Sequence, residues 1–406
     1  MSDPARQAVI VAASRTPMGR YLGGLASVRA PALGATAVRE AVRRSGVDAG
    51  EIQEVILGNV LQGGVGQAPA RQAQLRAGLP AGISAVTINK VCGSGLKAVM
   101  LAAQAIRAGD IRVAVAGGME SMSNAPHYVY GMRGGVKLGD QKLVDGMILD
   151  GLHCATCNVH MGGHAEHTAR KGKVSREAQD EFAAGSHRKA VAAQDAGRFD
   201  AEIVSVDVPG RKGTTTVSAD EGPRRDTTVE SLARLRPAFA DDAPQGMDRK
   251  DLSVTAGNAS SLNDGAAALV VTSEEFARAH GLHVMARINA YATGATAPEE
   301  LFFAPINAVR NLMKKEGRSI GDYGLIEANE AFASQAIANG NGLGWDWDRV
   351  NVNGGAIALG HPIGASGARV LTTLLFAMQD RDVATGLATL CLGGGDAVAL
   401  SVERIN

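Results

Sequence analysis

Two stretches of this chain, about 270 residues apart, run through the same order of elements, and that order leaves few folds open. Each begins with a small-residue turn, Gly93-Ser94-Gly95 in the first and Ala365-Ser366-Gly367 in the second. Each continues with apolar residues three and four apart: Leu96, Val99, Met100, Ala103 and Ile106, then Val370, Leu371, Leu374, Leu375 and Met378. That spacing predicts a buried helix. Each closes on a short apolar run ending in glycines, 113–116 before Gly117-Gly118 and 387–390 before Gly393-Gly394-Gly395. Runs of four or five apolar residues alternating with helical patterns predict βαβ units around a sheet buried on both faces.

The other segments fit the duplication. Before the first turn, apolar runs at 8–12, 55–57 and 85–88 alternate with helical patterns at 35–44, closed by Gly46, and 68–77, closed by Gly78. In the last third, the run 284–288 precedes a helical pattern at 304–315, a run at 325–326, a helix from Ala331 and a run at 350–352; 398–402 is the final strand. Between the copies the character changes. Residues 121–145 are rich in Met, Tyr and Gly and read as a loop, whereas 176–196 reads as a helix whose Arg188 and Lys189, with Arg198 beyond, form a solvated face. Residues 268–271 return to a strand. The expected division is a first core domain at 1–120 with 250–275, an inserted loop domain at 121–249, and a second core domain at 276–406.

The 51 glycines in 406 residues stand well above the ~7% of an average protein. With 45% hydrophobic residues beside them, they signal tight turns and close backbone approaches rather than disorder. Acidic and basic residues balance at 41 each, against the net positive charge that nucleic-acid binding requires, and no apolar run is long enough for a membrane span. Four cysteines do not make a disulfide scaffold, and no signal-peptide layout opens the sequence, so a reducing cytoplasmic setting is expected.

One of the four, Cys92, sits in Val91-Cys92-Gly93-Ser94-Gly95, between a predicted strand and a predicted helix. A helix N-terminus favours the thiolate, so a lowered thiol pKa is expected there. A nucleophile needs a base, and His361 lies in the equivalent turn of the second copy, within Gly360-His361-Pro362-Ile363-Gly364. A second cysteine, Cys391, ends the strand before Gly393. An active site between the copies accounts for the distance in sequence between nucleophile and base.

These blocks carry a resemblance. Residues 89–97 (Asn-Lys-Val-Cys-Gly-Ser-Gly-Leu-Lys), Asn329-Glu330-Ala331-Phe332, Gly360-His361-Pro362 and Cys391-Leu392-Gly393-Gly394-Gly395 resemble the four signature blocks of the thiolase family, in matching order over nearly the whole chain, and are most similar to its biosynthetic members. The resemblance implies a layered α-β-α-β-α core and an acyltransferase that condenses two acetyl-CoA to acetoacetyl-CoA and CoA, or reverses that reaction. It implies that Cys92 carries the acyl group, His361 deprotonates it, and Cys391 moves the α-proton. Asn329 would position a water that forms one oxyanion hole with His361, and the backbone N–H groups of Cys92 and Gly393 would form the other. By the same resemblance Leu152, His160 and Met161 line a pantetheine channel and Ser260 bonds the pantetheine amide. The segments around Arg224 and 235–239 grip coenzyme A, with Ser231, Phe239, Ala256, Leu262 and Phe332 as further contacts. The loop including 134–138 joins dimers into a homotetramer. No cofactor and no metal are implied, coenzyme A being a substrate. The alternatives are a degradative 3-ketoacyl-CoA thiolase of broader or branched-chain specificity and a non-catalytic acyl-CoA-binding protein; the latter predicts loss of at least one catalytic residue, and none is lost.

Three segments depart from the family pattern. In His153-Cys154-Ala155-Thr156-Cys157-Asn158-Val159-His160, the two cysteines and flanking histidines could ligate zinc, with His164 and His167 close by. Structural zinc sites usually draw on separated ligand pairs and no second pair exists, so the cysteines read as substitutions on the channel loop. Glu300-Leu301-Phe302-Phe303-Ala304-Pro305 puts large apolar residues where many biosynthetic members carry a glycine-rich run, implying an altered acyl pocket. Glu221-Gly222-Pro223-Arg224 lacks the tyrosine of potassium-activated members, so no potassium dependence is expected.

Overall fold

Nine strands and eight principal helices build the core, and their ends fall where the sequence supplies a stop. A computed structural model describes residues 6–211 and 213–405. In the first half, Ala8–Arg15 (β1), Glu54–Gly58 (β2), Ser84–Ile88 (β3), Val113–Ser121 (β4) and Asn263–Ser273 (β5) lie in the order β3-β2-β4-β5-β1. Strands β3, β2 and β4 are mutually parallel, and β5 and β1 are antiparallel to their neighbours. In the second half, Ala286–Ala295 (β6), Leu325–Ala328 (β7), Thr385–Leu392 (β8) and Asp396–Glu403 (β9) lie in the order β7-β8-β9-β6, with the same alternation of direction. Val350 makes a single parallel bridge to Ile326, in the position that β3 holds in the first half. The predicted strand at 350–352 is therefore one bridge, since the chain turns away at Asn351, which is in the left-handed region at φ 45°.

The halves meet where β1 pairs antiparallel with β6 over Val9–Arg287 and Ile10–Ala286, which makes the two copies one continuous sheet. Helices Ala30–Ser45 (α1) and Pro69–Arg76 (α2) cover the outer face of the first half, Ser94–Ala108 (α3) precedes β4, and Ala304–Glu316 covers the second half. α1 stops at Gly46 and α3 at Gly109, both in the left-handed conformation that glycine adopts at little cost. Strand β3 departs from the expectation of burial on both faces, because it is a sheet edge and half-exposed. Strand β4 does not end at Gly117-Gly118 but runs through both. A side chain at Gly117 would strike the backbone of Ala267, and one at Gly118 the carbonyl of Gly364.

Between β4 and β5 the insert contributes Met161–Lys171 (α4) and Arg176–Asp195 (α5). It is tied to the core by fully buried Arg15, which donates to Glu202 at 2.7 Å and to both Asp220 carboxylate oxygens at 2.7 and 2.9 Å. Lys189 is not on a solvated face: it is half-buried, and its Nζ donates to the Val350 carbonyl at 3.1 Å. The remaining helices follow in the second half: Ala304–Glu316 (α6), Ala333–Leu343 (α7) and Ser366–Asp380 (α8).

The largest apolar cluster joins α3 and α8 to strand residues of both halves, among them Ile10, Ala114, Leu269, Leu390 and Leu400. Separate clusters lie under α1 and under α6, which yields the α-β-α-β-α layering. The two central helices cross at their N-termini with near-twofold reciprocity. A Cβ on Gly95 would lie 2.6 Å from the Ala368 nitrogen, and one on Gly367 would strike the Leu96 backbone. Only glycine at both positions permits this approach, which carries the turn before α3 to the turn before α8.

Candidate active site

The turn between β3 and α3 is locked from three sides. Val91 N–H donates to Asn89 Oδ1 at 2.9 Å, Lys90 N–H donates to Ser94 Oγ at 2.8 Å, and Ser94 Oγ donates to the Val91 carbonyl at 2.6 Å. Val91 is held at φ 45°, a left-handed conformation that a β-branched residue adopts only under constraint. Cys92 is thereby turned into a cavity of about 480 Å³. Burial pushes its thiol up to about 12 and the charge of Glu120 adds to this, while its own N–H and that of Gly393 favour the thiolate and pull the other way. The lowered pKa expected from the helix N-terminus is therefore overturned, because desolvation outweighs the backbone donors. The thiol is a stored proton that only a neighbouring base can remove.

His361 is that candidate base, and its tautomer follows from its partners. Its backbone N–H donates to Asn263 Oδ1 at 2.9 Å. Its Nδ1 lies 2.7 Å from Ser366 Oγ, and that hydroxyl spends its own hydrogen on the Pro362 carbonyl at 2.9 Å. Ser366 must then accept from Nδ1–H, leaving the Nε2 lone pair available. Burial, reinforced by the positive charge of Arg369, holds the imidazole down at about 3, so it is neutral near pH 7. The Asn329 amide nitrogen lies 3.4 and 3.5 Å from the two ring nitrogens, and its buried Oδ1 has no hydrogen-bond partner. Cys391, at the end of β8, is raised well above its ordinary value by burial and then by the nearby charge of Cys92.

The cavity gathers most of the residues that the sequence singled out. Cys92, His361, Cys391 and Gly393 line its inner end. Leu152, His160, Met161, Ala256, Ser260 and Leu262 line its walls, together with Arg224, Phe239 and Phe332. His160 stacks on Phe239 with centroids 5.0 Å apart, and Phe239 and Phe302 both meet Phe332 edge-on, at 6.1 and 5.3 Å. Asn329 stands behind His361 rather than on the wall. Ser231 lies outside the cavity: it is exposed, and its hydroxyl donates to the Thr228 carbonyl at 2.8 Å within the cap of a short helix.

Some participants had no signal of their own in the sequence. Met122, Met147 and Ile363 line the cavity, and Asn263 and Ser366 fix His361. Ser366 stood in the repeated Ala-Ser-Gly turn, the one clue that pointed toward it. Buried Glu120 accepts from Asn59 Nδ2 at 2.7 Å, from Val60, Leu61 and Gly364 N–H at 3.0, 3.2 and 2.9 Å, and is pushed up to about 7 by burial. It fastens the loop after β2 to the loop that carries His361. A second cavity of about 420 Å³, between Phe182, Lys189 and Trp347, holds no cysteine or histidine.

Comparison with known proteins gives the family. The model described as "Thiolase, N-terminal domain" matches residues 8–275, and that described as "Thiolase, C-terminal domain" matches 282–404. The chain belongs to the thiolase family. Among similar thiolases is an acetyl-CoA acetyltransferase of Pseudomonas aeruginosa, 56% identical over 397 residues, which are 98% of this chain and 99% of the relative. Another, from Escherichia coli, is 52% identical over 402 residues, 99% of this chain and 100% of the relative. The crystal structure of the Bacillus anthracis acetyl-CoA acetyltransferase superposes with a TM-score of 0.94 at 41% identity, covering 98% of this chain and 99% of that one. Among the described residues of this thiolase, no helix is long and apolar enough to cross a membrane.

Proposed function

We propose that this thiolase interconverts two acetyl-CoA with acetoacetyl-CoA and CoA through an acyl group carried on Cys92. The observation that supports this reading is the meeting of a half-buried thiol, a buried thiol and one neutral imidazole on a single cavity, with the Cys92 and Gly393 N–H groups directed at the Cys92 sulfur. The names of the relatives supply the substrate.

His361 Nε2 takes the Cys92 proton as Sγ attacks the thioester carbonyl, and the departing coenzyme A thiolate takes the proton of Cys391, which is left as a thiolate. The Cys391 thiolate then removes an α-proton from a second acetyl-CoA, whose enolate carbon attacks the acyl carbon, and the Cys92 thiolate so released recovers its proton from His361. The Cys92 and Gly393 N–H groups hold one oxyanion; His361 and a water held by Asn329 hold the other. Arg224 serves the coenzyme A phosphates, and Phe239, Leu152, His160, Met161, Ala256, Leu262 and Phe332 border the pantetheine, with Ser260 at its amide. The reaction so written uses no cofactor and no metal. The assembly proposed is a cytoplasmic homotetramer.

Leu301 and Phe302 bear on the choice between a biosynthetic and a degradative, longer-chain thiolase. Both are buried on the cavity wall, and Phe302 packs on Phe332. They crowd the acyl end and favour short chains, so rates in a chain-length series should fall steeply beyond acetoacetyl-CoA. Turnover of the 2-methyl form at an equal rate would instead support a branched-chain enzyme.

The primary test follows the ultraviolet absorbance of magnesium-chelated acetoacetyl-CoA after addition of CoA. The wild type should consume it, and Cys92→Ser should be slower by about 10³-fold or more. A wild type that binds CoA but leaves acetoacetyl-CoA untouched would reject the proposal in favour of acyl-CoA binding alone.

A further inference from the structure

A small hairpin beside the cavity holds a cluster that the thiolase reaction does not use. His153–Cys154 pairs with Val159–His160, and the turn between them presents Cys157 three residues after Cys154. Asn158 closes the turn in the left-handed region at φ 56°, and its N–H donates to the Cys154 carbonyl at 2.7 Å. The sequence alone drew attention to His153 and His160 as companions of these cysteines. His160 instead faces the cavity and accepts Gly162 N–H on Nδ1. The histidine brought to the cysteines is His164, from the first turn of α4: one donor atom from each of Cys154, Cys157 and His164 lies within 4.8 Å of the others.

Three features distinguish this cluster from thiols that merely fill a loop. Cys154 and His164 are 4% and 3% exposed, and Cys157 is half-buried, so the donors converge inside the protein. His164 Nε2 is buried without a hydrogen-bond partner, an arrangement that packing alone leaves costly. Cys157 N–H donates to Cys154 Sγ at 3.3 Å, the kind of backbone bond that supports a thiolate ligand. Soft sulfur with imidazole suits zinc-like cations rather than magnesium or calcium.

We propose that Cys154, Cys157 and His164 bind a thiophilic divalent cation such as zinc, clamping the hairpin to α4. With metal–sulfur bonds of ~2.3 Å, a tetrahedral ion holds its donors about 3.7 Å apart, so the cluster closes by small side-chain rotations. Each thiol gives its proton to solvent as its sulfur–metal bond forms, with no change of oxidation state, and solvent takes the fourth position. The clamp is structural: Leu152, immediately before the hairpin, and His160, its last residue, belong to the cavity wall.

The test uses the reduced full chain, expressed without a histidine tag and equilibrated separately with zinc(II) and cobalt(II). The expected result is about one metal per chain, with a thiolate-to-cobalt charge-transfer band that zinc displaces. The Cys154→Ser/Cys157→Ser variant should lose band and metal, whereas Cys92→Ser/Cys391→Ser should keep both, which separates this site from the reactive thiols. Two results would overturn the proposal: reduced wild type retaining less than about a tenth of an equivalent, or metal persisting in a folded Cys154→Ser/Cys157→Ser chain. The wild-type stoichiometry decides the question even if that variant fails to fold.

Discussion

Ser366 acts on the chemistry through His361. With its hydrogen committed to the Pro362 carbonyl, the Ser366 hydroxyl forces the proton onto Nδ1 and leaves Nε2 as the base. Ser366→Ala should lower kcat by about 10- to 100-fold with little change in KM, since the base is misoriented while the cavity wall is intact. A slower alkylation of Cys92 by iodoacetamide would separate this positioning role from a loss of fold. The depressed imidazole adds a pH prediction. An ordinary histidine takes up a proton as pH falls through ~6.5 and ceases to be a base, whereas this one remains neutral down to about 3. The acylation burst with acetoacetyl-CoA should stay within about threefold between about pH 5 and 8, and a limb near 6.5 would contradict the assignment. The same shift costs stability in acid: below ~6.5 the unfolded chain binds a proton that folded His361 refuses.

At the scale of elements, the reciprocal crossing of α3 and α8 brings a nucleophile and a base from distant sequence into one cavity. In a typical helix interior, Gly→Ala stabilises by about 0.5–1 kcal/mol. At Gly367 the sign should reverse, because the added carbon meets the Leu96 backbone, which cannot swing aside as a flexible side chain does. Gly367→Ala should therefore lower both Tm and activity, and a raised Tm would show that the crossing has room. This element was legible in the sequence only in part. The matching Gly-Ser-Gly and Ala-Ser-Gly turns, the helical periodicities and the positions of Cys92, His361 and Cys391 disclosed the duplication and the centre of the site. What remained hidden depends on contacts between segments far apart in the chain. Glu120 carries no local mark of its four N–H donors, and Asn263 is set against His361 only by the fold. Ser231 shows the opposite case, a hydroxyl engaged in a purely local helix cap. The pKa of Cys92 was misjudged because a helix N-terminus is visible in sequence and desolvation is not.

For the whole molecule, the insert has two distinct parts. Part of it walls the cavity, while the segment from Tyr130 to Leu143 faces outward and contributes nothing to the lining. Tyr130, Met132, Val136, Leu138 and Leu143 are 62, 56, 43, 105 and 70% exposed. Large apolar side chains gathered on one short loop are costly to leave in water, and burial against another copy recovers roughly 25 cal/mol per Å². A chain with formal net charge zero opposes such association with little long-range repulsion. If this loop joins pairs of dimers, Leu138→Glu/Leu143→Glu places charges in the joint and should halve the mass seen by light scattering. Thiolysis should remain within about twofold of wild type, because neither residue reaches the cavity. A variant that keeps the full mass would remove the loop from the assembly, and a halved mass with lost activity would mean that the cavity itself depends on the tetramer.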